Sequence, residues 1–243
     1  MEQCLRVNNI TKKFGGMLAL KDVSFQTETG EILGLIGPNG AGKTTLFNII
    51  SGVLRQTEGE ILFHGKSVSH MAPHKICKLG IARTFQIVKP FYSMTLRDNV
   101  AVGVMAVGHS KNKALEKADE VLSFLGLDQK SDKFPGELTL AEKKRLELSR
   151  ALATDPKLLI LDEVMAGLNT REMLDFTEII KTIRQRDITI IMVEHVMQAI
   201  LTLCHRVVVL NFGEILAIGT PEEVINDPKV IEAYLGDGYN AQN

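Results

Sequence analysis

Two stretches of the chain hold residue types that few kinds of chemistry need in that order. Gly37-Pro38-Asn39-Gly40-Ala41-Gly42-Lys43-Thr44-Thr45 follows the apolar run Ile32-Leu33-Gly34-Leu35-Ile36 and leads into a helical pattern. A glycine-rich turn between strand and helix lets backbone N–H groups approach an anion that a Cβ would hold off. Lys43 is placed to reach the β- and γ-phosphates of a nucleoside triphosphate, and the Thr44 hydroxyl is an oxygen ligand for Mg²⁺. Farther on, Lys157-Leu158-Leu159-Ile160-Leu161-Asp162-Glu163 reads as a buried strand ending in two acids. Asp162 is expected to hold the metal, directly or through water, and Glu163 to orient or deprotonate the attacking water. An apolar run closing on two acids says little alone. In order after the loop it completes a triphosphate-hydrolysing pair.

Two further side chains are candidates. His195 follows the strand pattern Thr189-Ile190-Ile191-Met192-Val193-Glu194; a lone histidine there is more often structural, but an imidazole beside the nucleotide strands can contact a γ-phosphate. Gln86, after Gly80-Ile81-Ala82-Arg83-Thr84-Phe85, carries an amide that can ligate Mg²⁺ or position water.

The elements that must position these groups are legible as patterns. Short strands are expected over residues 5–9, 23–27, 31–36 and 60–63, with the loop's helix between them. From residue 94 to 154 the pattern turns helical: Ala114, Ala118, Val121, Leu122 and Leu125 recur at three and four before Gly126, and another helix begins near Ala141. Strands at 158–161, 189–193 and 206–210 then alternate with helices at 171–185 and from 196. That order implies a mostly parallel sheet covered on both faces, an α/β fold. Thr220-Pro221-Glu222-Glu223 reads as a capping box, and Asp227-Pro228 opens a last helix, a tail expected to pack on its own domain.

Composition excludes several classes. The 243 residues are 45% hydrophobic and 23% charged with formal net charge −1, which argues against general attraction to nucleic acid or anionic lipid. Three dispersed cysteines, Cys4, Cys77 and Cys204, fit reduced thiols in a cytoplasmic protein. No window approaches the ~20 apolar residues of a membrane span. His70, His74 and Cys77 lack an evident fourth metal ligand and read as part of a solvated helix, and Lys143-Lys144-Arg145 as a solvated basic face. Phe91, Tyr92 and Met94 read as core residues.

The order of motifs resembles the nucleotide-binding subunit of ABC transporters over essentially the whole chain, and most of all the ATPases of branched-chain amino acid importers. The stretches Ala82-Arg83-Thr84-Phe85-Gln86, Met94-Thr95-Leu96-Arg97-Asp98-Asn99-Val100 and Gly219-Thr220-Pro221-Glu222-Glu223 through Tyr234-Leu235-Gly236 are similar to theirs. The resemblance implies a phosphate-loop NTPase core over roughly 1–93 and 155–243, with an N-terminal antiparallel β subdomain and a helical subdomain inserted at 94–154. It implies ATP and Mg²⁺ as ligands, Phe14 against the adenine ring, and two subunits closing head to tail on two ATP molecules. Each loop would then face the other subunit's signature segment, here Leu138-Thr139-Leu140-Ala141-Glu142 where Leu-Ser-Gly-Gly-Gln is usual. Thr139 keeps a hydroxyl for the γ-phosphate, while Ala141 and Leu140 are expected to crowd the place of two glycines. Val164 and Asn169 replace the usual Pro and Asp. For Phe91, Tyr92 and Met94 the resemblance implies, with weight equal to the core reading, a surface bordering the groove that receives a helix of the membrane subunit. The implied partners are a second ATPase subunit, transmembrane permease subunits and, indirectly, an extracytoplasmic solute-binding protein, with the chain peripheral on the inner face of the membrane. A soluble mechanical ATPase and a regulatory subunit of weak turnover are the alternatives.

Overall fold

The structure, a computed structural model, describes residues 2–85 and 89–235. Strands β1 (Gln3–Phe14) and β2 (Met17–Glu28) form a long antiparallel hairpin, which β4 (Glu58–Phe63) and the two-residue β5 (Lys66–Ser67) extend into a sheet of order β2-β1-β4-β5. The second sheet is built from β3 (Ile32–Ile36), β6 (Ile81–Arg83), β7 (Leu158–Asp162), β8 (Thr189–Val193), β9 (Arg206–Asn211) and β10 (Glu214–Gly219). Its order is β10-β9-β3-β8-β7-β6, parallel throughout except for the edge strand β10.

Strict alternation along the central strands explains why they read as unbroken apolar runs. Ile32, Leu159, Leu161, Ile190, Met192, Val207 and Val209 join one core, while Leu33, Leu35, Leu158, Ile160, Ile191, Val208 and Leu210 join a second on the opposite face. A strand with helices or a sheet over both faces has no polar side to show. The second core holds the antiparallel sheet and helix α1 (Lys43–Ile50), whose Leu46, Phe47 and Ile50 are fully buried.

Helix α2 (Pro73–Leu79) leads into β6. Helices α3 (Leu96–Ala106), α4 (Lys111–Phe124) and α5 (Leu140–Leu152) pack on one another and contribute Val100, Val104, Ala118, Val121 and Leu148 to the first core. Helices α6 (Thr170–Arg184) and α7 (Met197–Leu203) cover the same face with Phe176, Ile180 and Ile200. The closing helices α8 (Pro221–Ile225) and α9 (Pro228–Leu235) bury Val224 and Val230 there, so the tail packs on its own domain. The Thr220 capping box forms as expected, with Glu223 N–H on Thr220 Oγ1 and Thr220 N–H on Glu223.

Asn99 of α3 is fully buried and organises the turn before its helix. Its Oδ1 accepts the Phe91 N–H at 2.8 Å, and its amide donates to the carbonyls of Phe91, Met94 and Thr95. The turn thus fixed leaves Phe91 and Tyr92 41% and 59% exposed, which decides against a core role.

Candidate nucleotide site

The loop 37–45 starts where β3 ends and closes into α1, and its glycines answer to different demands. At Gly37, φ is +149° and an added Cβ would lie 2.0 Å from the Leu210 carbonyl oxygen, so the fold itself excludes any side chain. At Gly40, φ is +82° with nothing within 4 Å, so that glycine serves the left-handed turn and an open face where backbone N–H groups can meet an anion. Pro38, Asn39 and Gly40 form the outer part of the loop, Ala41 is buried beneath it, and Thr44 is exposed while Thr45 is half-buried. Lys43 is 8% exposed and its ammonium donates to the carbonyls of Gly37 at 2.6 Å and Pro38 at 2.8 Å. Burial pushes its pKa down, opposed by the charges of Glu163 and Asp162.

Asp162, at the end of β7, is buried and held on two sides. Its N–H donates to Thr84 Oγ1 at 3.2 Å, and its Oδ2 accepts from Arg83 Nη2 at 2.8 Å. Arg83 in turn donates to Asn48 Oδ1 and Ser51 Oγ at the end of α1. Its Nε is buried without a hydrogen-bond partner among the described residues. Thr44, Asn48, Arg83, Glu147 and Asp162 line one cavity. The Thr44 hydroxyl and the Asp162 carboxylate are hard oxygen donors, few in number, the donor set Mg²⁺ takes when phosphates and water supply the rest.

Glu163 adopts φ +52°, a left-handed conformation that a residue with a side chain keeps only when its surroundings impose it. Its N–H donates to Val193 O at 2.9 Å, and its carbonyl accepts both the Ala166 N–H and the Lys144 ammonium. His195 Nε2 lies 3.0 Å from Glu163 Oε1, with the imidazole half exposed. The neighbouring Glu194 is 4% exposed and accepts the Met165 N–H at 2.9 Å. Burial pushes its carboxyl up to about 7 against the opposing pull of the Met165 N–H and then of Lys144.

The profile described as ABC transporter matches residues 20–166, and that of the branched-chain amino acid ATP-binding cassette transporter matches residues 214–240. The high-affinity branched-chain amino acid transport ATP-binding protein BraF of Pseudomonas aeruginosa is 36% identical over 96% of this chain and 98% of its own. The protein LivG of Escherichia coli, of the same description, matches at the same identity and coverage. The chain belongs to the ABC transporter ATP-binding family. Among solved structures, a nucleotide-free ATP-binding cassette from an ABC transporter superposes with a TM-score of 0.89 at 33% identity, covering 97% of this chain and all of that one. The ADP conformation of such a cassette gives the same TM-score and identity over 98% of this chain.

The other expected site residues of this ABC ATP-binding subunit lie on separate elements. Phe14 ends β1, 41% exposed, with the Lys12 ammonium 4.8 Å from its ring centre. Gln86 lies outside the described residues. Thr139 caps α5: its Oγ1 accepts the Glu142 N–H and its own N–H donates to Glu142, whose carboxylate pairs with Lys130 and is held below the usual carboxylate range by it. Ala141 is buried in the first core, so its methyl faces inward, and the bulk that the segment presents is Leu140, 47% exposed. Asn169 caps α6 by accepting the Glu172 N–H, the task an aspartate would perform there.

Two expectations are corrected: Ala141 does not crowd the outer face of its segment, and the basic run 143–145 is not a solvated face. Lys144 is not on a solvated face but 6% exposed, and Arg145 is mostly covered, its Nη2 3.5 Å from Asp175. The signal was present: Ala141, Lys144, Leu148 and Ala151 recur at three and four, which puts Lys144 on the apolar stripe. The roles of Arg83, Glu147 and Glu194 are not legible in the sequence, because an isolated charge in a sequence announces no partner. Their partners are distant in the chain.

Two measurements probe this charge arrangement. Arg83→Met removes the cation from a buried pair and should destabilise the nucleotide-free chain by about 3–5 kcal/mol in urea unfolding. A change below about 1 kcal/mol would mean that Asp162 does not depend on Arg83. For Glu194, whose folded pKa of about 7 exceeds its ordinary 4.5, the native state binds the extra proton between those values, so stability falls as pH rises through that window and is level above it. The facing groups Lys144, Glu163 and His195 remain in Glu194→Gln. Wild type should therefore lose about 2–3 kcal/mol more than Glu194→Gln between pH 5 and pH 8; parallel curves would rule the effect out.

Proposed function

We propose that this chain is the ATP-hydrolysing subunit of a membrane importer of branched-chain or related amino acids. The observation that carries it is Glu163, adjacent to Asp162 at the strand end and in contact with His195, in a chain similar over nearly its whole length to BraF and LivG. The loop 37–45 wraps the phosphates with its N–H groups, and Lys43 exchanges its two carbonyl partners for phosphate oxygens. Mg²⁺, when bound through Thr44 and Asp162, supplies positive charge at the β- and γ-phosphate oxygens. Glu163 orients water for attack on the γ-phosphorus and takes up its proton as the bond to the β-phosphate oxygen breaks. His195 fixes the Glu163 carboxylate and contacts the γ-phosphate, the Gln86 amide ligates the metal or positions water, and Phe14 receives the adenine.

Two such subunits close head to tail, with Thr139 and the N–H groups near Ala141 at the partner's nucleotide. The core spans roughly 1–93 and 155–243, with 94–154 as the helical subdomain. Among the described residues no helix is long and apolar enough to cross a membrane, which fits attachment to the inner face through permease subunits. Phe91 and Tyr92, exposed on the turn that Asn99 braces, are the apolar anchor for that permease. A subunit of weak turnover is the second reading, favoured by the bulk of Leu140.

Glu163→Gln should keep ATP affinity while turnover falls by roughly 10²–10⁴. Unchanged single-turnover hydrolysis would remove Glu163 from the role, and wild-type turnover already as slow as the variant's would favour the second reading. Phe91→Glu should keep ATP affinity and thermal stability yet fail to co-purify with the permease. Retained co-purification would place the anchor elsewhere.

A further inference from the structure

Helix α5 reaches the segments that follow β7 and β6 through two buried side chains about one turn apart. The Lys144 ammonium donates to the Glu163 carbonyl at 2.9 Å, and the Glu147 carboxylate accepts the Phe85 N–H at 2.7 Å. A buried ammonium is a demanding choice of donor, since it must be taken out of water. It is not needed merely to satisfy the carbonyl, which already accepts the Ala166 N–H at 3.2 Å. What the lysine adds is a link. It faces Glu147, Glu163 and Glu194, and it fastens the one main-chain oxygen of the residue whose φ is +52° to a separate helix.

We propose that Lys144 is a positioning residue that ties the main chain of Glu163 to α5, so that the aim of the Glu163 carboxylate depends on how α5 is seated. This rests on Glu163 being the hydrolytic group. The neighbouring contacts complete the bracket: Glu163 N–H on Val193 O and Met165 N–H on Glu194 hold the strand side, and Lys144 holds the helix side. Because Thr139 caps the first turn of α5, a shift of that turn on meeting a nucleotide is transmitted through Lys144 to the acid at the chain's own loop.

The test compares Lys144→Met, which keeps length and loses the donor, with Lys144→Arg, which keeps a cation. Lys144→Met should lower kcat by about 10- to 100-fold, the scale of an ångström-sized misplacement, with KM and ATP affinity within about twofold of wild type. Lys144→Arg should recover most of the loss. Glu163→Gln with Lys144→Met should be no slower than Glu163→Gln alone, since a residue acting through Glu163 has nothing left to position. If Lys144→Met does not fold, Lys144→Met with Glu194→Gln also takes away one of the carboxylates that face it and enters the same comparisons. An undiminished kcat, an absence of rescue by arginine, or losses that multiply with Glu163→Gln would overturn the proposal. Wild-type turnover by Glu163→Gln alone would instead sink the reading of Glu163 itself.

Discussion

Four carboxylates are gathered at the carboxyl ends of β7 and β8 and on the helix beside them, and water is kept from most of them. Asp162, Glu147 and Glu194 are each less than a tenth exposed, with Glu163 in their midst. Negative charges so placed repel one another strongly unless each finds a donor. The rest of the site follows from meeting that demand. Arg83 answers Asp162, main-chain N–H groups answer Glu147 and Glu194, His195 answers one oxygen of Glu163, and Lys144 sits among three of the four. These donors come from β6, α5 and the segments following β7 and β8, which is why elements far apart in sequence must dock in one register before the site exists.

The fold was legible where one element's pattern was self-contained. The five-residue strand at 189–193 and the long helix near 171–185 announced themselves, because their periodicity is set by a single covering layer or a doubly covered sheet. Strand β1 runs from residue 3 to residue 14 rather than over 5–9, since its length is set by pairing with β2, which runs on past the buried Ile10 and Thr11 to Phe14. Strands β6 and β10 were missed for different reasons. Three residues are too few to display a period, and β10 is a partly exposed edge whose existence depends on β9.

The site was legible as far as chemistry is tied to local motif. The loop and the two acids could be read because their residues are contiguous and their surroundings are strand and helix. The counter-charges could not: Arg83 and Asp162 are 79 positions apart, Glu163 and Lys144 belong to different elements, and only the sheet order brings them together. The signature segment shows the converse. Its departures from the usual glycines looked equally obstructive in sequence, yet one methyl is turned into the core and one leucine outward, a difference that only the helix phase decides.

The Asn99 clamp has a kinetic meaning for whatever meets that turn. Four hydrogen bonds from one buried amide fix the backbone from Phe91 to Thr95 before any contact is made. A partner landing there orders few rotors that were not already ordered, so little of the contact energy is consumed by chain entropy. For a partner that lands there, the preformed turn takes the folding step out of encounter and leaves collision and orientation to limit the rate.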